Sequence, residues 1–350
     1  MQTVFSPLRL QHVPASDAPA TRQAVAVDIP GRAESVLQAV RERGLGSVVP
    51  PADFSPRALR RVHDQGYLLF LETFWERWIE AGRDGEAFAT TWPIRSLRED
   101  TLPDNIEGLL GRYSMDARTP MGPQVFEAAS VSAATALTAA QMVLERSEPA
   151  AFGLCQAPGH HAGEDFLGGQ CYLNNAAIAA QWMRDYGAAR VAILDVGYHH
   201  GNGTQSIFYD RSDVLYLSLH ADPRQAYPYF LGHSDETGEH AGTGFTRNWP
   251  LPAGTDWSNY APALEEACRW LLVYRPEYLV ISLGLDTSVN EATGGFRFTD
   301  DDFKRLGARI GRLELPTVFL LEDGQTIGGL GRNCVNVLHA YEEARRALAA

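Results

Sequence analysis

The chain has 350 residues, of which 45% are hydrophobic and 21% charged, a balance typical of a globular protein with a large core. Its net charge of −13 argues against a nucleic-acid partner, because phosphate binding draws on clustered lysine and arginine, and it is compatible with a cationic ligand. The sequence has neither a signal-peptide pattern nor a run of eighteen apolar residues, so we expect a cytoplasmic protein that does not contact a membrane. Four cysteines without a CxxC pair predict reduced thiols.

Helical patterns and strand-like apolar runs alternate along most of the chain. A long alanine-rich helix is predicted first, over residues 125–146. It is followed by a helix over 174–186, strands over 190–196 and 214–220, a helix over 260–272, a strand over 278–284, a helix over 301–313 and a strand over 316–321. These strands are rich in Val, Ile and Leu, as strands buried on both faces are. The pattern predicts an α/β fold, a three-layer α/β/α arrangement with a central, mainly parallel sheet.

Polar residues stand where several of these strands end. Asp195 ends the strand over 190–196, Asp286 follows the strand over 278–284, and Glu322 to Gln325 follow the last strand. The carboxyl ends of parallel strands meet at one edge of the sheet, where ligands bind in such folds. We therefore expect these residues to share one pocket.

Two histidine pairs are the main candidates for functional residues in the sequence. Residues 158–163 read PGHHAG with His160 and His161, and residues 195–204 read DVGYHHGNGT with His199 and His200. Imidazole is both a common base near neutral pH and a common zinc ligand. Two pairs beside glycines predict a catalytic or metal site, which Asp286 could complete as a ligand or as the partner that orients a histidine.

The motifs GHHAG, GGQCYLNNAA, DVGYHHGNGTQSIFY, SLGLDT and LEDGQ, in this order, resemble those of the arginase/deacetylase (histone deacetylase-like) family. The nearest resemblance is to bacterial acetylpolyamine amidohydrolases, whose distinguishing insertion matches Ala221 to Gly238, and whose early segment matches FLETFW at 70–75. The resemblance extends from about residue 30 to the end of the sequence. It implies a single deacetylase-like domain over 1–350 with an insertion around 221–243, and a homodimer formed through that insertion.

The resemblance also implies roles for individual residues. His160 and His161 match the tandem pair of the family, in which the first is oriented by a strand-end aspartate, here Asp195. The second, His161, matches the general base and acid that acts on the zinc-bound water, and Asn202 matches the residue that faces it. Among the three metal ligands of the family, two have counterparts here, His199 and Asp286. Asp195 and Ser218 could hold the structural potassium ion of the family.

Three positions depart from the family pattern. The D-x-D-x-H-H motif reads Asp195-Val196-Gly197-Tyr198-His199-His200, so Gly197, without a side chain, stands at the third metal-ligand position. The E-G-G-Y motif reads Glu322-Asp323-Gly324-Gln325, so Gln325 replaces the tyrosine that donates to the oxyanion. Gln170 stands where the family has an aromatic residue in the wall of the pocket.

These departures predict altered chemistry. Catalytic zinc takes about three protein ligands, and zinc is what makes the attacking water acidic, so with two ligands we expect no functional catalytic zinc. Losing an oxyanion donor costs about a hundredfold to a thousandfold in rate on its own. Glutamine offers both a donor and an acceptor, so we expect Gln170 and Gln325 to bind substrate. Three aromatic residues complete the predicted substrate-binding set: Tyr198, Tyr229 and Phe230.

The function predicted from the sequence is therefore that of a divergent member of this family. It would act on a small amine or acylamine in a polar pocket, with His161 as general acid and base and without a functional catalytic zinc. One alternative is a zinc-dependent acetylpolyamine or acyl-lysine amidohydrolase in which water or a nearby carboxylate such as Glu291 replaces the missing ligand. The other is a non-catalytic binding or partner protein.

Overall fold

One parallel sheet organises the computed structural model, which describes residues 1–8, 29–94, 96–98, 100–292 and 294–349. Its strands are β1 (Gln2–Val4), β2 (Val48–Val49), β3 (Ala150–Gly153), β4 (Val191–Val196), β5 (Val214–Ala221), β6 (Thr246–Leu251), β7 (Tyr278–Leu283) and β8 (Thr317–Leu321). Their order in the sheet is β2-β1-β3-β8-β7-β4-β5-β6, and every pairing is parallel. The α/β prediction with a parallel sheet is therefore confirmed.

Helices cover the two faces of the sheet. They are α1 (Ile29–Arg43), α2 (Gln65–Glu80), α3 (Ile106–Arg112), α4 (Val125–Leu144), α5 (Asn175–Asp185), α6 (Asn202–Phe208), α7 (Trp257–Tyr274), α8 (Asp300–Gly311) and α9 (Ile327–Ala349), with single 3₁₀ turns at Leu59–Arg61 and His240–Gly242. Among the helices in the described ranges, none combines the length and apolarity that a membrane crossing needs.

The side chains of the central strands alternate between two hydrophobic cores. In β4, Val191 and Ile193 belong to the core that includes residues of α4 and α5, whereas Ala192 and Leu194 belong to the core that includes residues of α7, α8 and α9. Every residue of β4, β5 and β8 is buried. A strand buried on both faces has no polar side to alternate with, which explains the continuous apolar runs in the sequence.

The predicted segments match the observed ones within three residues at each end. The strands predicted over 190–196, 214–220, 278–284 and 316–321 are β4, β5, β7 and β8, and the helices predicted over 125–146, 174–186, 260–272 and 301–313 are α4, α5, α7 and α8. Strands β1, β2, β3 and β6 were not predicted, nor were helices α1, α2, α3 and α6, and of α9 the sequence indicates only the alanine-rich end from Arg345.

Helix α5 begins at a cap that also supports the loop containing the first histidine pair. The Asn174 side chain accepts a hydrogen bond from the Ala177 N–H, which satisfies one of the free donors of the first turn. Its amide Nδ2 donates to the Ala162 carbonyl at 2.9 Å and to the Thr204 hydroxyl at 3.0 Å. Because Asn174 contacts both chain segments, it joins the loop after β3 to the start of α6.

Candidate active site

The candidate site lies at the carboxyl ends of four strands that are neighbours in the sheet. In sheet order, β3 leads into the loop with His160 and His161, β8 into Asp323, β7 into Asp286, and β4 into His199. The structure therefore brings the predicted strand-end residues together, as expected for a parallel sheet.

His160 is held by the carboxylate of Asp195, near the end of β4. Its Nδ1 lies 3.2 Å from Asp195 Oδ2, and the Tyr216 hydroxyl donates to the same oxygen at 3.0 Å. The other ring nitrogen, Nε2, lies 3.0 Å from Asp323 Oδ2. Burial lowers the pKa of His160, but the carboxylates of Asp195 and Asp323 outweigh burial and raise the pKa well above its usual range. His160 thus has a carboxylate at each ring nitrogen and carries a positive charge.

His161 has a different environment, because its partner is an amide. Its Nδ1 donates to the side-chain oxygen Oδ1 of Asn202 at 2.7 Å, and the Asn202 Nδ2 donates to the Met115 sulfur at 3.2 Å. This contact places the proton on Nδ1 and leaves Nε2 with a lone pair, 3.7 Å from Asp323 Oδ2. Burial, together with the charge of His160, lowers the pKa of His161. A neutral imidazole whose free nitrogen faces the cluster is suited to act as a base.

Asp323 belongs to two groups that could hold a metal ion, one with His160 and His161 and one with His199 and Asp286. His199, Asp286 and Asp323 form the group that includes both ligands predicted from the sequence. His199 Nδ1 lies 2.7 Å from Asp286 Oδ2 and 3.4 Å from Asp323 Oδ2, and the candidate ligand atoms of the three residues all lie within 4.8 Å of one another. One histidine and two carboxylates is a donor set that zinc accepts. The sequence analysis counted two of these ligands and did not include Asp323.

Gly197 lies beside this cluster, in a space bounded by its neighbours. A Cβ atom there would lie 3.1 Å from Asp286 Oδ1 and 3.2 Å from Gly284 Cα. Asp286 Oδ1 also accepts a hydrogen bond from the Tyr198 N–H at 2.7 Å. A side chain at position 197 therefore requires Asp286 to move by a few tenths of an ångström.

Glu291 does not take the ligand position that the sequence analysis considered for it. Its Oε2 accepts hydrogen bonds from the backbone N–H groups of Gln325 and Thr326, both at 3.1 Å. The carboxylate that joins His199 and Asp286 is that of Asp323. Glu291 instead stabilises the backbone that follows Asp323.

Arg32 of α1 stabilises the segment that contains Asp323. The buried guanidinium of Arg32 donates from Nε to the Gly324 carbonyl and from Nη2 to the Glu322 carbonyl. The Leu285 N–H donates to the Asp323 carbonyl at 2.8 Å. With these three donors bound to successive carbonyls, the backbone on both sides of Asp323 is held in place.

Glu322 connects the same segment to the histidine loop. Its Oε2 accepts hydrogen bonds from the Gly159 N–H at 2.6 Å and the His160 N–H at 3.2 Å, and the residue is buried. Burial raises the pKa of Glu322 to about 7. The adjacent residues Glu322 and Asp323 thus differ in role, since the first supports a loop and the second faces the histidines.

The predicted substrate-binding residues lie at different depths. Tyr198 packs against His199 with ring centroids 5.2 Å apart, and Gln170 is half-buried with its N–H bound to the Thr119 hydroxyl. Tyr229 is 48% exposed and Phe230 87% exposed. Gln325 is also exposed, so its side chain is less enclosed than the oxyanion role of that position would suggest.

A cavity of about 400 Å³ adjoins the histidine cluster. Its lining includes Asp116, Asn202 and the segment from Tyr227 to Leu231. The Tyr227 ring lies 5.0 Å from the His161 ring, and its hydroxyl donates to Asp116 Oδ2 at 2.7 Å. Burial raises the pKa of Asp116, but hydrogen bonds from the Gly169 N–H, Tyr227 and others outweigh it and lower that pKa, so Asp116 contributes an anionic group to a lining that also contains Arg118.

The sequence analysis named neither Asp116 nor Tyr227. Tyr227 lies in the insertion, between the recognised Ala221 and Gly238, so its position was visible but its contact with His161 was not. Asp116 lies outside every quoted motif, and nothing in the sequence links it to residues more than a hundred positions away.

The predicted position of the structural cation is at Asp195, the residue that contacts His160 Nδ1. Asp195 and Ser218 are paired residues of neighbouring strands β4 and β5, and the Ser218 hydroxyl forms a hydrogen bond with His220 Nδ1 at 2.8 Å. The potassium ion at this position stays a prediction.

Comparisons with known proteins identify similar chains and a similar fold. Residues 27–341 match the model of the histone deacetylase domain. The chain is 49% identical over 320 residues to acetylpolyamine amidohydrolase 1 of Pseudomonas aeruginosa, covering 91% of this chain and 92% of that protein. It is 44% identical over 311 residues to the acetylpolyamine amidohydrolase of Mycoplana ramosa, covering 89% and 91%. The crystal structure of acetylpolyamine aminohydrolase from Burkholderia pseudomallei superposes with a TM-score of 0.89 at 37% identity, covering 98% of this chain and 99% of that one.

Proposed function

Because the chain belongs to the histone deacetylase domain family, we propose that it hydrolyses the amide bond of a small acylated amine, with His161 as general base and acid. The observation that supports this proposal most directly is the 2.7 Å contact between His161 Nδ1 and the side-chain oxygen Oδ1 of Asn202. The substrate class is supported by the relatives, which are acetylpolyamine amidohydrolases.

The tautomer of His161 determines what it can do. With the proton held on Nδ1 by Asn202, Nε2 can take a proton from an attacking water and later give it to the departing amine nitrogen. The positive charge of His160, fixed by Asp195, stabilises negative charge that develops on the acyl oxygen as water attacks the acyl carbon. A divalent ion held by His199, Asp286 and Asp323 would polarise the acyl group and make water more acidic.

The cavity next to His161 suits a cationic amine. Its wall contains the carboxylate of Asp116, and the aromatic rings of Tyr227, Tyr229 and Phe230 are available for cation–π contacts, which are worth about 0.5–2 kcal/mol. The net charge of −13 attracts such a ligand over longer distances. A small amine with its charged end in this cavity would place its acyl end toward the histidines.

We expect turnover to be slow. Gln325 stands at the position of the oxyanion tyrosine, and it is exposed. The absence of one oxyanion donor corresponds to about a hundredfold to a thousandfold lower rate. The proposed function is therefore hydrolysis at a rate well below that of an enzyme with the tyrosine.

Acetate release from acetylated diamines and polyamines, measured with and without added zinc, tests the proposal. The wild type should release acetate, and His161→Ala should abolish the release. His339→Ala is the matched control, because His339 lies on α9 with its ring partly exposed and should keep full activity. Turnover that survives His161→Ala, or no turnover from any of these amines, contradicts the proposal.

A binding protein without turnover is the second candidate, and one contact favours it. Asp323 Oδ2 lies 3.0 Å from His160 Nε2 and 3.7 Å from His161 Nε2, so a carboxylate lies near the atoms that an attacking water must approach. Calorimetric binding of an acetylated polyamine without any acetate release would support this candidate. The homodimer, the single domain over 1–350 and the cytoplasmic location remain predictions from the sequence.

A further inference from the structure

We infer that Asp323 supplies the third ligand of a divalent-metal site with His199 and Asp286, in place of the carboxylate that Gly197 lacks. The inference deepens the proposed function, on which the use of the metal rests, but metal binding itself can be measured without turnover. The site would take a zinc-like ion, because its donors are one imidazole and two carboxylates.

The sequence shows both the loss of one carboxylate and the gain of another. Where the family motif D-x-D-x-H-H has its second aspartate, this chain has Gly197, and where E-G-G-Y has its first glycine, this chain has Asp323. One carboxylate is lost after β4 and one is gained after β8, so the donor set keeps its number of ligands and its charge. A decaying site would lose the first carboxylate without a replacement in contact with the same histidine.

The distances fit a shared ion. Zinc bonds to nitrogen and oxygen of about 2.0–2.2 Å place neighbouring ligands of a tetrahedral ion about 3.4 Å apart. His199 Nδ1 lies 3.4 Å from Asp323 Oδ2, and its 2.7 Å contact with Asp286 Oδ2 is a hydrogen bond that the ion would replace. All three side chains are at most 17% exposed.

The Asp323 carboxylate is also held in position before any ion binds. Arg32 donates to the carbonyls of Glu322 and Gly324, and the Leu285 N–H donates to the carbonyl of Asp323 itself. A ligand on a fixed backbone loses little conformational entropy when it binds a metal, so this support favours binding. Gly197, in contrast, has little room for a side chain beside Asp286.

The rival interpretation is that Asp323 only neutralises the histidines. Its Oδ2 contacts His160 at 3.0 Å as well as His199, so an ion pair without metal accounts for part of the geometry. The two interpretations differ in what happens when Asp323 loses its charge. If Asp323 is a ligand, Asp323→Asn lowers the metal affinity of the chain. If Asp323 only forms ion pairs, neither the wild type nor Asp323→Asn binds the metal.

The test is metal binding by the purified chain after removal of metal with a chelator. Titration with zinc, followed by calorimetry and elemental analysis, should give one ion per chain for the wild type. Asp323→Asn should weaken binding by at least about a hundredfold, since even partners of ligands contribute ten- to a hundredfold to affinity. Glu343→Gln is the matched control with wild-type affinity, because Glu343 is exposed on α9 and its carboxylate faces His339 and not the cluster. Circular dichroism confirms that each variant is folded.

Cobalt substitution adds a readout of the ligand set. The visible absorption of bound cobalt should change in Asp323→Asn and remain unchanged in Glu343→Gln. The double variant Gly197→Asp with Asp323→Gly, which restores the family arrangement, should recover most of the affinity that Asp323→Gly alone loses. This reciprocal pair keeps the inference testable if one single variant folds poorly.

The results separate the inference from the proposed function. A wild type that binds no zinc, or an Asp323→Asn chain that binds zinc as tightly as the wild type, overturns the inference while leaving turnover by His161 to its own assay. Tight binding that depends on Asp323, without any acetate release, sustains the inference and refutes the proposed hydrolysis.

Discussion

Replacing Arg32 by alanine should destabilise the chain more than any exposed substitution on the same helix. Arg32 is 4% exposed and donates to the carbonyls of Glu322 and Gly324. Hydrogen bonds that involve a charged group contribute about 1.5–3 kcal/mol each, so the loss of both costs about 3–6 kcal/mol. This range agrees with the roughly 3–5 kcal/mol expected when one member of a buried charge cluster is removed.

The carboxylates around Arg32 explain why the loss of its charge destabilises the chain. Burial lowers the pKa of Arg32, while the carboxylates of Asp323, Glu291 and Asp286 oppose this and favour the charged guanidinium. Removing that cation leaves the buried carboxylates less compensated. The loop that carries Asp323 should therefore loosen, and zinc affinity should fall in parallel with stability.

Urea unfolding followed by far-UV circular dichroism measures the effect. Arg41→Ala is the control, because Arg41 is exposed on the same helix and its loss should change the free energy of unfolding by no more than about 0.5 kcal/mol. Arg32→Lys should fall between the two, since lysine keeps the charge but cannot match both donors. If Arg32→Ala unfolds within about 0.5 kcal/mol of the wild type, the buried cation does not hold this segment.

Three further predictions concern other parts of the chain. Burial lowers the pKa of His63 to about 4, below the value of about 6.5 in the unfolded chain, so the unfolded state takes the proton first as the pH falls. Between pH 7 and pH 4 the wild type should lose about 3 kcal/mol of stability relative to His63→Gln, and parallel urea-unfolding curves against pH would contradict this. Gly203→Ala should cost about 1–3 kcal/mol in thermal unfolding, because the new Cβ would lie 2.2 Å from the Ala162 carbonyl oxygen, whereas Gly328→Ala, with no atom within 4 Å, should be neutral. All four cysteines are buried and unpaired, so a thiol reagent should label none in the folded chain and four in urea, and labelling before unfolding would refute their burial.

The central part of the fold could be predicted because its strands have one unmistakable pattern. β4, β5, β7 and β8 are mostly apolar, rich in Val, Ile and Leu, and are bounded by polar turns. Strands β1, β2, β3 and β6 lack that pattern. β1 and β2 have three and two residues, β3 reads AAFG, and β6 contains Pro250, a residue confined to sheet edges. Their pairing depends on the sheet that receives them, which local sequence does not describe.

The candidate site was predictable where its residues are adjacent and not where distant segments meet. His160 and His161 share one motif, and their partners Asp195 and Asn202 share another, so both contacts followed from the resemblance. Asp323 has an equally acidic neighbour in Glu322, and only the structure shows which of the two faces the histidines. The count of two metal ligands therefore followed from treating the 322–325 segment as altered only at Gln325.

The order of the strands has a consequence for how the cluster comes into being. Its residues follow β3, β8, β7 and β4, which are neighbours in space although the cluster extends in sequence from His160 to Asp323, nearly half of the chain. No fragment that lacks one of these four strands can assemble the whole cluster, so the cluster forms only when this part of the sheet is complete. An ion that binds there recognises the folded chain and not the unfolded one, and at a thousandfold excess over its dissociation constant it adds about 4 kcal/mol to stability. Metal supply in the cell would then set how much folded protein accumulates, as well as how active each molecule is.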